Sequence, residues 1–104
     1  MVQSSPSEYG MKGVAYMEIK KRATAGTMES SDVYVEIEPA EGLELQLESV
    51  VLEQFGDSIR ALVLEVLDQC GVTGANVHVV DRGALECVIR ARVETAVLRG
   101  KEDA

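Results

Sequence analysis

The stretch VLEQFGDSIRALVLEVLDQCG, residues 51–71, decides the fold class of this chain. Its apolar residues recur at the three- and four-residue spacing of one helix face, and Gly71 is the residue type that commonly ends a helix. Ser49 is a candidate N-cap, and Glu53 lies close enough to the helix start to favour its positive end. The spacing predicts one long amphipathic helix that packs on a sheet, with Phe55, the only phenylalanine, in the core. The expected apolar side comprises Val51, Leu52, Phe55, Ile59, Leu62, Val63, Val66, Leu67 and Cys70.

Two alternating segments precede this helix. Apolar residues occupy every second position over residues 33–38 and again over residues 43–48, which is typical of half-buried strands. The intervening residues 39–42 contain a proline and a glycine and favour a turn. We therefore predict an antiparallel hairpin made of these two strands.

The segment after the helix predicts a third strand and then becomes ambiguous. Residues 77–80 are rich in valine and favour a strand, and residues 81–83 favour a turn. Residues 85–93 fit both the alternation of a strand and the spacing of a helix, and we favour a fourth strand followed by a short helix at residues 95–99. The expected architecture is a small single α+β domain of order β-β-α-β-β(-α), in which one long helix covers a mainly antiparallel sheet.

Length and charge limit the functions that this chain can have. A chain of 104 residues forms one small domain with little volume for a deep active-site cleft. Its 18 acidic and 10 basic residues give a net charge of -8, which repels nucleic acids and anionic membranes, so we expect neither as a partner. Cys70 and Cys87 lie far apart within apolar stretches, which favours two small core residues in a reduced, cytoplasmic protein.

The candidate functional element is the hydroxyl-rich segment AGTMESSD, residues 25–32. Gly26 loosens the backbone there, serine and aspartate favour a turn, and only Met28 is available for burial. A serine in such a turn would lie in water, where another protein could reach it. An ordinary polar turn is the alternative interpretation of the same residues.

We expect the two ends of the chain to lie outside the folded part. Residues 1–24 are expected to form a flexible tail, of which residues 1–16 are a candidate extension ahead of an original start at Met17, and residues 100–104 a disordered C-terminus. The basic run at residues 20–22 is either a solvated charge cluster or a group that helps to hold a phosphate near Ser30.

The sequence contains no recognisable catalytic motif. His78 is the only histidine, so a multi-histidine metal site cannot form within this chain, and in an alternating strand its side chain should point to solvent. Arg90 and Arg92 share a face of the expected fourth strand, where they could hold a phosphate or carboxylate of a partner or pair with neighbouring glutamates. Phosphate-loop, nucleophile-elbow and metal-ligand motifs are missing, which disfavours an independent enzyme.

A second serine competes with the one in the turn. Residues 56–59, GDSI, resemble the Asp-Ser-Leu signature that carries phosphopantetheine in helical-bundle acyl carriers. In those carriers the serine begins a helix of an all-helical domain, whereas here the expected helix already starts at Val51 and strands lie on both sides. Ser58 therefore ranks below Ser30.

Three segments together resemble the acyl carrier protein of citrate lyase, its gamma subunit. They are residues 25–33 (AGTMESSDV), residues 54–57 (QFGD) and residues 81–87 (DRGALEC) with residues 90–92 (RAR), and the similarity extends over residues 17–99 with few gaps. In that family the serine directly after the Gly-Thr-x-Glu segment carries 2'-(5''-phosphoribosyl)-3'-dephospho-coenzyme A through a phosphodiester. The resemblance implies that this serine is Ser30, with Ser31 adjacent to it. The N-terminal extension is the main departure from the family pattern.

The resemblance implies a non-catalytic carrier domain at residues 25–99. Such a carrier bears acetyl and citryl thioesters while citrate is cleaved to acetate and oxaloacetate. The implied partners are the alpha subunit (citrate:acetyl-carrier transferase), the beta subunit (citryl-carrier lyase) and the transferase that attaches the prosthetic group. Two alternatives stay open: an acyl carrier of the malonate decarboxylase type, and an acidic interaction module without a covalent cofactor.

Overall fold

Four strands and two helices are formed by residues 18–101, the part of the chain that this computed structural model describes. The α+β class predicted from the sequence is confirmed. The predictions for residues 1–17 and 102–104 lie outside the described residues. In chain order the elements are β1 (Ala23–Gly26), β2 (Val33–Pro39), β3 (Leu43–Ser49), α1 (Leu52–Gln69), β4 (Ala75–Asp81) and α2 (Glu86–Gly100).

Both helices cover the same face of the sheet. Helix α2 packs on β1 and β2, while α1 packs on β3 and α2. Every second side chain is buried along β4 and along β2 as far as Ile37, and the intervening side chains are half-buried or exposed. The core is therefore one layer between sheet and helices, in which each fully buried valine, leucine or isoleucine contributes about 1.5–3 kcal/mol. Its largest apolar side chains are Ile37, Leu67, Ile89, Val33, Val35, Val63, Val66, Val77, Val79, Val93 and Val97.

The strand order is β1-β2-β4-β3, which corrects the predicted hairpin. β2 pairs antiparallel with β1 and with β4, and β3 pairs parallel with β4, so the sheet is mainly antiparallel, as predicted. β2 and β3 do not pair because β4 lies between them: Val79 is opposite Val35 on one side and Leu47 on the other. Every second residue of β4 is fully buried, whereas no residue of β3 is fully buried. Burial therefore favours the central position for β4 rather than for β3.

Helix α2 occupies the segment where we expected a fourth strand. Residues 86–100 are helical throughout, so the predicted strand at residues 85–93 is wrong, and the helix predicted at residues 95–99 is the second part of a longer helix. The buried positions of α2 follow helical spacing rather than alternation, and packing on β1 and β2 selects that pattern. These buried residues are Ile89, Val93, Ala96, Val97 and Gly100.

The long helix after β3 is confirmed, but its first turn is not part of the core. Helix α1 ends before Gly71, which has a φ of 75°, and Ile59 to Leu67 supply its buried face. Phe55 is 52% exposed, so its predicted place in the core is wrong. The helix begins at Leu52, and its N-cap position is Val51 rather than Ser49.

Part of the expected N-terminal tail belongs to the sheet. Residues 23–26 form β1, an edge strand that pairs antiparallel with β2, and Ile19 is buried in front of it. Ala23 and Ala25 are buried, because small residues let α2 approach this edge closely. The segment lacks the large β-branched residues on which strand prediction depends, so its strand character was not visible in the sequence.

The two cysteines differ in exposure. Cys70 is half-buried against the core, and burial, together with the charge of Glu94, raises the pKa of its thiol. Cys87 lies in the first turn of α2 and is exposed, so the expectation of a core residue is wrong for Cys87. The helix causes this difference, since it turns position 87 away from the buried side that contains Ile89.

Gly26 and Gly42 form a matched pair for testing this backbone geometry. Gly26 has a φ of +86°, and a Cβ there would lie 1.8 Å from the carbonyl oxygen of Val33, whereas nothing lies within 4 Å of a Cβ at Gly42. We predict that Gly26→Ala lowers the free energy of unfolding by at least about 2 kcal/mol, whereas Gly42→Ala changes it by less than about 1 kcal/mol. Urea unfolding followed by circular dichroism measures both values, and equal stabilities would contradict the geometry.

Candidate functional site

The candidate site is the turn between β1 and β2, residues 27–32. Ser30 lies at its tip and is exposed. The turn is closed by the amide of Asp32, which donates to the carbonyl oxygen of Glu29 at 3.1 Å, and Ser31 has a φ of 68°. Among residues 18–101 the hydroxyl of Ser30 makes no hydrogen bond, so it is accessible from solvent.

The carboxylate of Asp32 holds the turn together. It accepts hydrogen bonds from the Thr27 hydroxyl at 2.7 Å, the Thr27 amide at 3.1 Å and the Val33 amide at 2.7 Å. The Thr27 hydroxyl in turn accepts from the amide of Glu29 at 3.2 Å. The turn is therefore held by hydrogen bonds, which corrects the expectation of a loose backbone at this position.

Arg92 connects the same carboxylate to helix α2. Its Nε donates to one oxygen of Asp32 at 3.2 Å, and its Nη2 donates to the other at 3.1 Å. This two-pronged geometry is the one for which arginine is better suited than lysine. The Cδ of Arg92 would lie 3.2 Å from a Cβ at Gly26, so the absence of a side chain there lets the arginine pass over β1. Arg92 therefore binds a carboxylate of its own chain.

These contacts change the acidity of Asp32. The hydrogen bond from the Thr27 hydroxyl, that from the Val33 amide and the charge of Arg92 lower the pKa of Asp32 from 3.8 to about 2. Each of them favours the ionised carboxylate. Asp32 is consequently charged at neutral pH while it holds the turn.

A second loop supports the turn from the side. The amide of Ser31 donates to the carbonyl oxygen of Arg82 at 2.9 Å, and the amide of Arg82 donates to the carbonyl oxygen of Asp32 at 2.9 Å. Arg82 begins the loop between β4 and α2, so this pair continues the β2–β4 pairing past Val33 and Asp81. Both neighbours of Ser30 along the chain have their amide or carbonyl groups bound, which leaves Ser30 at the projecting point.

Asp81 organises the adjoining loops. It is only 1% exposed, and it accepts hydrogen bonds from the Ser49 hydroxyl at 2.8 Å and from the amides of Gly83 and Ala84 at 3.2 and 2.9 Å. The Ser49 hydroxyl also accepts from the amide of Val51 at 3.1 Å. Ser49 therefore helps to position the start of α1, although it is not the N-cap residue.

A groove opens beside these loops, between α1 and the start of α2. It has a volume of about 520 Å³, and its walls include Phe55, Ile59 and Ile89. Ser58 lines this groove from within helix α1, in the middle of a helix as expected. The two candidate serines thus occupy different settings: Ser30 is at the tip of a loop, and Ser58 is on a helix wall.

Other residues singled out in the sequence lie elsewhere. Arg22 pairs with Glu36, and β1 separates the basic run at residues 20–22 from the turn, so this run is not beside Ser30. Arg90 lies on α2 and contacts Gln69 at 3.3 Å. His78 lies on the open face of the sheet, where its Nε2 is 2.7 Å from Oε2 of Glu48.

The roles of Asp32 and Asp81 were not recognised from the sequence. An aspartate directly after a Ser-Ser pair and before a strand favours a local side-chain turn, and this signal was present at Asp32. The pairing of Asp32 with Arg92, 60 positions away, depends on the fold. Asp81 was assigned only to a turn, and its burial follows from the position of β4 beside β3.

The chemistry available at this site is that of an accessible hydroxyl on a fixed support. Within residues 18–101, no group of three or more His, Cys, Asp or Glu side chains is placed to bind a metal ion. No helix in the same part of the chain is long and apolar enough to cross a membrane. An exposed serine hydroxyl can accept a phosphate-linked group, because there is room for the group outside the protein.

Comparison with known proteins identifies a family of acyl carriers. The family model described as "ACP: Malonate decarboxylase delta subunit (MdcD)" matches residues 20–100. A citrate lyase acyl carrier protein of Klebsiella pneumoniae is 54% identical over 88 residues, covering 83% of this chain and 91% of that protein. One from Haemophilus influenzae is 49% identical over 87 residues, covering 84% of this chain and 92% of that protein.

A solved structure shares the fold. The crystal structure of a Pseudomonas malonate decarboxylase hetero-tetramer in complex with malonate contains a chain that matches with a TM-score of 0.70. The match covers 82% of this chain and 89% of that chain at 24% sequence identity. At this identity the similarity shows the fold alone.

We predict that Asp32 contributes a pH-dependent part of stability. Its pKa in the fold, about 2, lies below the ordinary 3.8, so the ionised carboxylate stabilises the protein above about pH 4 and this contribution is lost as the pH falls towards 2. The gap in unfolding free energy between the wild type and Asp32→Asn should therefore be constant above pH 4 and narrow below it. Urea unfolding from pH 2 to pH 6 measures the gap.

Glu41→Gln is the control for this measurement, because Glu41 is exposed in the loop between β2 and β3. It should follow the wild type at every pH. A gap for Asp32→Asn that stays constant down to pH 2 would contradict the role of the ionised carboxylate.

Proposed function

This chain belongs to the family of the citrate lyase acyl carrier proteins and the malonate decarboxylase delta subunit, and from this premise we propose that it is the acyl carrier subunit of a citrate lyase. The proposal makes Ser30 the attachment site of the prosthetic group. The observation that carries this assignment is the exposed, unbonded hydroxyl at the tip of a hydrogen-bonded turn.

The surroundings of Ser30 fit a bulky phosphate-linked group. The side chain lies outside the core, so the group needs no cavity in the protein. Asp32 is close in the chain and would repel a phosphodiester, but Arg92 neutralises it through two hydrogen bonds. Arg82 adds an exposed positive side chain on the adjoining loop. An anionic linkage on Ser30 would therefore lie beside one carboxylate without an ion pair among residues 18–101, that of Glu29, and near the positive side chains of Arg82 and Arg92.

Ser30 is a better attachment site than either neighbouring candidate. Ser31 has a φ of 68°, and its amide is bound to Arg82, so its backbone conformation is constrained by the turn. Ser58 is exposed too, but it lies within helix α1 on the wall of a groove rather than in a turn. Ser30 alone of the three occupies the projecting tip.

The attached group is proposed to be phosphoribosyl dephospho-coenzyme A, whose terminal thiol would carry acetyl and citryl groups as thioesters. The part played by the protein is mechanical. Thr27, Asp32 and Arg92 fix the base of the arm relative to α2 and the sheet, so that the arm always leaves the protein from the same place. Binding of a partner to the protein surface then also defines where the arm can reach.

Tethering is the physical advantage of such a carrier. An acyl group on a flexible arm meets a catalytic subunit of the same complex at an effective concentration of about millimolar. The proposed partners are the alpha and beta subunits of citrate lyase and the transferase that attaches the group. The proposed location of the complex is the cytoplasm.

A carrier of the malonate decarboxylase type is the second candidate. The description of the matching family model favours it, and the fold shared with the chain from Pseudomonas is compatible with it. The higher identity to citrate lyase carriers, 54% against 24%, favours the first candidate. Family membership also favours either carrier over a non-covalent acidic module.

The two carriers are distinguished by their partner subunits. We predict that the holo-protein, with its thiol acetylated, restores citrate cleavage to citrate lyase alpha and beta subunits from the same organism. It should not restore malonate decarboxylation to malonate decarboxylase subunits that lack their own carrier. Oxaloacetate formation and carbon dioxide release measure the two reactions, and the reverse pattern would establish the second candidate.

We predict that Ser30→Ala folds normally and receives no prosthetic group. The hydroxyl is exposed and unbonded, so its removal should change the free energy of unfolding by less than about 0.5 kcal/mol. Intact-protein mass spectrometry after coexpression with the attaching enzymes should show the mass increase in the wild type and not in the variant.

Ser31→Ala and Ser58→Ala are the matched controls. Both should gain the same mass as the wild type. A mass increase in Ser30→Ala would refute the assignment of Ser30. If Ser58→Ala then lost the mass increase, Ser58 would be the attachment site instead.

A further inference from the structure

Most of the large apolar side chains that are exposed in residues 18–101 lie at one end of the molecule. Five of the eight belong to the Ser30 turn or to the loops and first turns that follow β3 and β4. The five are Met28, Val50, Leu52, Phe55 and Leu85, and their exposed fractions are 50%, 63%, 48%, 52% and 71%. We call these five residues the end patch.

The sheet register places the three segments together. Asp81, the last residue of β4, is opposite Val33 of β2 and opposite Ser49 of β3. The start of β2 and the ends of β3 and β4 therefore lie at the same end of the sheet. The Ser30 turn precedes β2, residues 50–52 follow β3, and residues 82–85 follow β4, so these three segments all lie at that end of the sheet.

The groove between the helices forms the centre of this end. Phe55 and Ala84 line it from its two sides, and Ile59 and Ile89 lie deeper in its walls. Val51, which also lines the groove, is followed by the exposed Leu52. Phe55 is the end-patch residue that lines this groove, and the other four lie on segments at the same end of the sheet. A single exposed leucine on a protein surface has little meaning, but several large exposed apolar residues at one end mark an interaction site.

The border of the end patch is acidic. The segments 27–32, 50–58 and 82–86 contain five acidic residues and one basic residue, Arg82. Asp32 is already paired with Arg92. The other four, which form no ion pair with any residue between 18 and 101, are Glu29, Glu53, Asp57 and Glu86. An apolar centre with a charged border is the usual composition of a protein–protein interface.

We infer that the end patch is the docking surface for a catalytic subunit, whose matching surface has an apolar projection bordered by lysine and arginine. This inference rests on the proposed function, in which the arm leaves from Ser30. A subunit that docks on the end patch contacts the same end of the sheet as the base of the arm. The acidic border selects a basic partner surface and raises the rate of association.

Phe55 and Leu85 are the residues that test this inference. Both are more than half exposed, so their replacement by alanine should leave the fold intact. Leu98 is the matched control: it is 48% exposed, but it lies near the other end of α2. The unmodified protein is used throughout, so that binding through the surface is measured without the arm.

The measurement is the affinity of the unmodified chain for citrate lyase alpha and beta subunits, each immobilised separately, by surface plasmon resonance. For at least one subunit we expect Phe55→Ala with Leu85→Ala to weaken binding by about tenfold or more, because truncated central apolar residues dominate such interfaces. Leu98→Ala should stay within about twofold of the wild type. Glu53→Gln with Glu86→Gln should slow association and reduce its dependence on salt.

Equal affinity of the Phe55/Leu85 variant and the wild type would overturn the inference. A wild-type protein that binds neither the alpha nor the beta subunit would also overturn it. Sedimentation of the chain alone tests for a second copy as the occupant: a dimer abolished by the Phe55/Leu85 changes would also overturn it. The proposed function is judged separately, by the mass increase at Ser30. A protein modified at Ser30 that does not dock through the end patch would refute this inference alone.

Discussion

The candidate site depends on one carboxylate, that of Asp32. It binds the hydroxyl and amide of Thr27 before the turn and the amide of Val33 after it, so it closes the segment that presents Ser30. The bidentate contact with Arg92 extends this closure to helix α2. A carrier needs a hydroxyl that is accessible and that keeps a fixed position relative to the rest of the protein. The Asp32 contacts meet both requirements, because they leave the Ser30 side chain outside the network.

The sheet topology determines what surrounds that hydroxyl. Because β2 runs antiparallel to β4 and β3 runs parallel to β4, the Ser30 turn, the start of α1 and the start of α2 all lie at the same end of the sheet. Asp81 stabilises this arrangement with a buried carboxylate that bonds both neighbouring loops. The proposed attachment point and the exposed apolar residues thus lie at one end of the molecule as a consequence of the strand directions.

Local patterns predicted most of the elements, and long-range pairings explain what they missed. The alternation in β2, β3 and β4 and the apolar stripe of α1 are strong periodic signals, and each was predicted correctly. The apolar residues of segment 85–93 fit both the alternation of a strand and the spacing of a helix. Only packing on β1 and β2 selects the helix. The order of strands and the Asp32–Arg92 pair join residues far apart in the chain, so no local pattern contains them. Ser30 itself was singled out by the composition of its turn and by a family resemblance.

The most direct test of the account is to locate the modification in the holo-protein isolated from its natural source. Digestion followed by fragmentation mass spectrometry of the peptide that contains residues 25–33 assigns the adduct to one side chain. The account predicts a phosphodiester-linked, coenzyme-derived group on Ser30, with Ser31 and Ser58 unmodified. An adduct on any other side chain, or a native protein without an adduct, would contradict it.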